Sequence, residues 1–196
     1  MSRIDFLGSP MDNLTMKESV DIIETNVAND VFLQHVVVNV AKLVHMQTDK
    51  VLADSVKACD MINIDGMGVV LGARFCGHKV SERVAGVDLF HELLAMSAKR
   101  DFPVFLLGAE EAVVDKTAAT VKKLYPELTL AGYHHGYFWD DEEAIVKMIK
   151  DSGAKLLFVA ITSPKKENFI NKWQDQLGVN FLTVAAVLST TASSMV

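Results

Sequence analysis

Half of the 196 residues are hydrophobic and 22% are charged, with 11 glycines and 4 prolines, which is enough apolar side chain for a sizeable core and excludes a disordered or low-complexity polymer. Nineteen basic residues against 25 acidic ones give a formal charge of −6, and the basic residues are scattered rather than striped, so no nucleic acid is expected as a partner. The two cysteines, Cys59 and Cys76, lie in no CxxC or Cys/His ligand spacing, which leaves neither a metal site nor a disulfide framework in view and fits a reducing cytoplasm.

Residues 1–13 carry Asp5 and Asp12 and lack the apolar stretch of a signal peptide. The most apolar runs, such as 156–161, fall far short of the roughly 20 residues that a spanning helix needs. A soluble chain, attached at most to a membrane surface, is the expectation.

In chain order, Thr15 with Glu18 forms a capping box that opens a helix over 15–27. Short β-branched runs predict strands at 32–38, 61–64, 104–107, 128–133, 155–160 and 181–184. Between them, helical periodicity predicts 41–59, with a break, then 87–99, 112–124, 141–152 and 164–176. Ser163 ahead of Pro164 opens the last helix with a good cap and a proline at the first helical position. Strands alternating with helices imply an α/β fold: a Rossmann-like, mostly parallel sheet with helices on both faces, in a single domain over 1–196. Ligands of such sheets bind beyond the carboxyl ends of the strands.

The run Asn63-Ile64-Asp65-Gly66-Met67-Gly68 delivers a carboxylate from an apolar strand into a glycine turn. Asp65 suits a general base there, and it equally suits the cap of the following helix. In Ser81-Glu82-Arg83-Val84-Ala85-Gly86-Val87-Asp88, the planar fork of Arg83 could grip a diphosphate. The competing reading is a surface arginine paired with Glu82 or Asp88.

Phe105-Leu106-Leu107-Gly108-Ala109-Glu110-Glu111 resembles half of a dinucleotide turn, but the later glycines of GxGxxG are missing, and two glutamates would repel a phosphate. Gly108 could instead hold a ribose or base through its backbone. His134-His135-Gly136-Tyr137-Phe138 offers two histidines without a third spaced ligand, so loop histidines beside two apolar plugs, Tyr137 and Phe138, are expected. Thr162-Ser163-Pro164-Lys165-Lys166-Glu167 joins a hydroxyl, a helix start and two lysines at one strand end, a suitable anion site. Asp-x-Asp occurs nowhere, so a diphosphate would be neutralised by Arg, Lys and backbone groups rather than by a metal.

Taken together and in this order, VVVNVAK, NIDGMGVV, SERVAGVDLF, FLLGA, GYF and TSPKKE resemble the WecG/TagA/CpsF family of bacterial glycosyltransferases over nearly the whole chain to about Val179. The resemblance implies inverting, metal-independent transfer of N-acetylmannosamine, or its uronic acid, from a UDP-sugar to undecaprenyl-diphosphate-linked N-acetylglucosamine. It implies no cofactor, a role in teichoic acid, common antigen or capsule synthesis, and a peripheral place on the cytoplasmic face of the membrane. Oligomeric state is left open, a homo-oligomer included.

By the same resemblance Asp65 matches the catalytic base, Arg83 the arginine of RVAG and Asn39 the strand-end asparagine. Pro164, Lys165 and Glu167 match a PKQE signature in which Lys166 replaces glutamine. The family continues with a glycine-rich GVGGxFD segment and a basic, apolar appendage, where this chain reads Leu182-Thr183-Val184-Ala185-Ala186-Val187-Leu188-Ser189. A one-base frameshift turns glycine codons into alanine and valine codons, so the expectation after about 180 is an altered end lacking part of the nucleotide pocket and the membrane-docking surface. The alternatives are a catalytically inactive sugar-nucleotide-binding paralogue and a nucleotide-linked oxidoreductase, the latter disfavoured by the missing GxGxxG.

Overall fold

The computed structural model describes residues 3–162 and 165–184. Two short strands, β1 (Arg3–Phe6) and β2 (Ser9–Asp12), form an antiparallel hairpin that the sequence reading missed, because four-residue strands leave little alternation to detect. Six strands follow, β3 (Leu33–Val38), β4 (Met61–Ile64), β5 (Val104–Gly108), β6 (Leu130–His134), β7 (Leu156–Ala160) and β8 (Phe181–Val184). The sheet order is β1-β2-β4-β3-β8-β7-β5-β6, and every pairing except β1 with β2 is parallel. All carboxyl ends from β2 to β8 therefore open on one edge, as the predicted α/β architecture requires.

The helices are α1 (Met16–Ala28), α2 (Val40–Met46), α3 (Lys50–Lys57), α4 (Met67–Phe75), α5 (Gly86–Arg100), α6 (Glu111–Leu124), α7 (Glu142–Asp151) and α8 (Lys165–Trp173), the last running into a 3₁₀ turn, Gln174–Gln176. Thr15 and Glu18 make the expected reciprocal cap of α1. The predicted 41–59 helix breaks into α2 and α3 because Asp49 ends one run and caps the next, accepting from Leu52 N at 2.9 Å. The helix expected after the glycine turn, α4, was given no bounds in the sequence because Gly68 and Gly72 dilute its period. A side-chain carbon at Gly68 would stand 2.8 Å from Val40 Cγ2, so glycine lets α4 pack closely on α2.

Two cores flank the sheet. One packs α2, α3, α4, α7 and α8 through residues such as Leu43, Val56, Val70, Ile149 and Phe169. The other packs α1, α5 and α6 through Ile23, Phe90, Leu93 and Val121. Strand β7 is buried on both faces, Leu156 to Val159 alternating between the two cores, which explains its unbroken apolar run. Residues 163, 164 and 185–196 lie outside the described residues, so the expectations for Ser163, Pro164 and the altered end are not addressed by the fold.

Candidate active site

Three tethers gather the predicted residues at the carboxyl ends of β3 and β4. Asp65 N donates to Val38 O at 2.9 Å, which seats Asp65 beside Asn39 at the neighbouring strand end. Asn39 caps α2 by accepting from Lys42 N at 2.9 Å. The loop carrying Arg83 is fastened to the same point, with Val84 N donating to Ile64 O at 2.8 Å and Gly86 N to Asp65 Oδ2 at 3.3 Å.

Asp65 therefore does not cap the helix that follows it. That helix, α4, has Gly66 at its N-cap, with φ +93 and no side-chain cap, and Asp65 instead accepts from the first N–H of α5. Asp65 is also only partly buried, leaving it open to a substrate hydroxyl. Glu82 turns away from Arg83 to accept from Met16 N at 3.0 Å, and Arg83 approaches Asp88 only at 3.9 Å with 42% of its side chain exposed. Its guanidinium is thus loosely held at the mouth of the site.

A second group lies at the ends of β5, β6 and β7. Gly108 has φ +129, and a side-chain carbon there would come within 2.3 Å of Ala160 O, so only glycine fits. Ala109 N donates to Ala160 O and Gly136 N to Ala109 O, at 3.0 and 2.8 Å, pinning three strand ends together. Ala109, Gly136, Tyr137, Trp139, Thr162 and Lys165 line the cleft above them. Lys165 Nζ rests 4.8 Å from the Trp139 ring centroid. Phe138 is buried as expected, whereas Tyr137 is 63% exposed and is not a plug: Phe138 stacks on Trp139 and takes the core position, leaving Tyr137 on the cleft wall.

Helix α8 joins the two groups. Glu167 is buried and pairs with Lys166 at 3.6 Å, while Lys165 points to the cleft. Lys42, which the sequence reading left in a motif without a role, also belongs here. Its Nζ donates to Val37 O at 2.9 Å, and it feels the charges of Lys166, Glu167 and Asp65. Burial, with Lys166 second, pushes its ammonium down to about 8. The signal that could have found it is a lysine in the first turn of a helix, where the dipole disfavours a cation.

Among the described residues there is no group of three His, Cys, Asp or Glu able to hold a metal, and no helix long and apolar enough to cross a membrane. His134 and His135 contact one another and the loop backbone.

The chain matches the Glycosyl transferase WecG/TagA/CpsF family over residues 4–195. It is 30% identical over 179 residues to the N-acetylglucosaminyldiphosphoundecaprenol N-acetyl-beta-D-mannosaminyltransferase of Staphylococcus aureus (strain NCTC 8325 / PS 47), covering 89% of this chain and 69% of the relative. It is 32% identical over 126 residues to the protein of the same name from Bacillus subtilis (strain 168), covering 64% of this chain and 49% of that relative.

Proposed function

The chain belongs to the WecG/TagA/CpsF family of glycosyl transferases, and from that premise we propose that it moves an N-acetylmannosaminyl group from a UDP-sugar to undecaprenyl-diphosphate-linked N-acetylglucosamine. The observation that carries this reading is the convergence, on one sheet edge, of a partly open carboxylate, a loosely held arginine and a cationic helix start. In this reading Asp65 takes the proton of the acceptor hydroxyl as its oxygen attacks the anomeric carbon. The bond from that carbon to the diphosphate breaks, its electron pair leaves with UDP, and Arg83 and Lys165 meet the developing charge. Asn39 and Glu167 position sugar hydroxyls, Lys166 faces the donor, and the Gly108 turn with Tyr137 and Trp139 holds the nucleoside. Pro164 keeps its expected place in the signature.

The acceptor named for the relatives carries a polyprenyl chain, so this reading puts the enzyme at the cytoplasmic membrane face. Met67, Leu71 and Phe75, spaced four apart on α4 directly after Asp65 and Gly66, are exposed, Phe75 by 94%, and support that orientation. A panel of radiolabelled UDP-sugars with a lipid-diphosphate N-acetylglucosamine acceptor tests the proposal. Label transferred from UDP-N-acetylmannosamine or its uronic acid supports it. Binding without transfer assigns the inactive paralogue instead.

A further inference from the structure

Helix α8 and the loop between β6 and α7 hold one another at three places. Lys165, Phe169 and Trp173 are spaced four apart and lie along one side of α8. From that side Lys165 Nζ stands 4.8 Å from the centre of the Trp139 ring, Phe169 meets Phe138 edge to face at 5.2 Å, and Trp173 Nε1 donates to Glu142 Oε2 at 2.8 Å. Lys172 Nζ donates to the same carboxylate oxygen at 2.8 Å, which fastens the far end of the loop.

Trp139 is fixed by its neighbours in this arrangement. The buried Phe138 ring stacks against it at 4.9 Å with the planes 26° apart, and Phe138 is in turn anchored by Phe169. Trp139 is half-buried and Lys165 exposed, and both line the cleft at the ends of β5, β6 and β7. An aromatic ring attracts an ammonium without neutralising it, so the charge stays whole and the N–H groups turned away from the ring can still donate to oxygen. A lysine with no such seat must be immobilised when an anion binds, and that ordering costs affinity.

We propose that Trp139, beyond its place in the nucleoside cleft, is a positioning residue for Lys165: its ring holds the ammonium in the cleft, so that the diphosphate of the sugar donor meets a cation already in place. The identity of the anion rests on the transferase reading, while the seat for the ammonium stands on the contacts above. Phe169 serves the same end from below, because the helix that carries Lys165 also fixes the ring on which Lys165 rests.

Titration with UDP and, separately, with uridine tests this, because the ratio of the two affinities isolates what the diphosphate contributes. Trp139→Leu should lower that ratio about fivefold, and Trp139→Phe, which keeps a ring face, should hold it within about twofold of the parent. Trp139→Leu combined with Lys165→Met should lower it no further than Lys165→Met alone, since both changes remove one interaction. An unchanged ratio in Trp139→Leu overturns the proposal and leaves the ring to the nucleoside alone. Equal losses in Trp139→Leu and Trp139→Phe overturn it too, as do losses that multiply in the double variant. A second readout needs no change at Trp139: its indole NMR signal should move more with UDP than with uridine in the parent, and equally with both in Lys165→Met. Equal movement in the parent overturns the proposal. A parent that binds neither ligand counts against the transferase reading itself, and the proposal falls with it.

Discussion

Lys42 and His35 are both held below their ordinary pKa by burial, and each leaves a mark on stability. Lys42 titrates near 8 when folded and at 10.5 when unfolded, so between those values the unfolded chain binds more protons. Stability therefore rises as pH is raised from about 8 to 10.5, by up to about 3 kcal/mol. At pH 7 the charge carries its full cost, and Lys42→Met is expected to unfold at higher urea than the parent. A destabilised Lys42→Met would mean that the ammonium stabilises the fold instead. His35 is buried, with Nδ1 2.7 Å from Thr183 Oγ1 and Nε2 2.9 Å from Asn63 Oδ1. Burial pushes it down to about 4 from 6.5, so stability present at neutral pH is lost as pH falls from 6.5 through 4. Urea midpoints should drop between those values, and an NMR titration of the His35 ring should show a midpoint near 4. A ring that titrates near 6.5 would contradict this account.

Among the elements, the turn after β5 is the most demanding. A methyl at Gly108 meets the Ala160 carbonyl, which is backbone and cannot swing aside, in a conformation that L-residues disfavour. Gly108→Ala should cost about 2 kcal/mol and lower the melting temperature by about 5 °C, because the ends of β5 and β7 must separate. An unchanged melting temperature would show that the turn yields freely. Elements of this kind were legible where chemistry is local: Thr15 with Glu18 announced α1, and the apolar run at Leu156–Ala160 announced a buried strand. The β1–β2 hairpin and the extent of α4 were not, since the former is too short for periodicity and the latter owes its packing to Gly68 and Gly72 against Val40 and Phe6. In the site, Asp65 and Gly108 stood out as strand-end residues, and Arg83 as an arginine in a charged loop leading into a helix. Lys42 did not, because the charges that act on it lie on α8 and at the end of β4, and only the parallel sheet brings segments so far apart in sequence together.

For the molecule as a whole, the account predicts an enzyme that works against a membrane without a metal. Phe75→Glu with Leu71→Glu should reduce co-sedimentation with anionic vesicles while leaving UDP binding unchanged, because α4 then loses its exposed apolar face. Unaltered co-sedimentation would assign attachment to another surface. Transfer should persist in EDTA, as the diphosphate is met by cationic side chains. Loss of transfer that Mg²⁺ restores would overturn that part. The central claim is that Asp65 is the base of a transfer site assembled at the ends of β3, β4 and β7. It is tested most directly by comparing the parent with Asp65→Asn for transfer of N-acetylmannosamine from its UDP-sugar to lipid-diphosphate N-acetylglucosamine, alongside UDP binding and melting temperature. The account predicts a loss of about 10²- to 10⁴-fold in transfer with UDP affinity and melting temperature kept, since the amide keeps the shape but cannot take the proton. Transfer at the parent's rate by a correctly folded Asp65→Asn would contradict it.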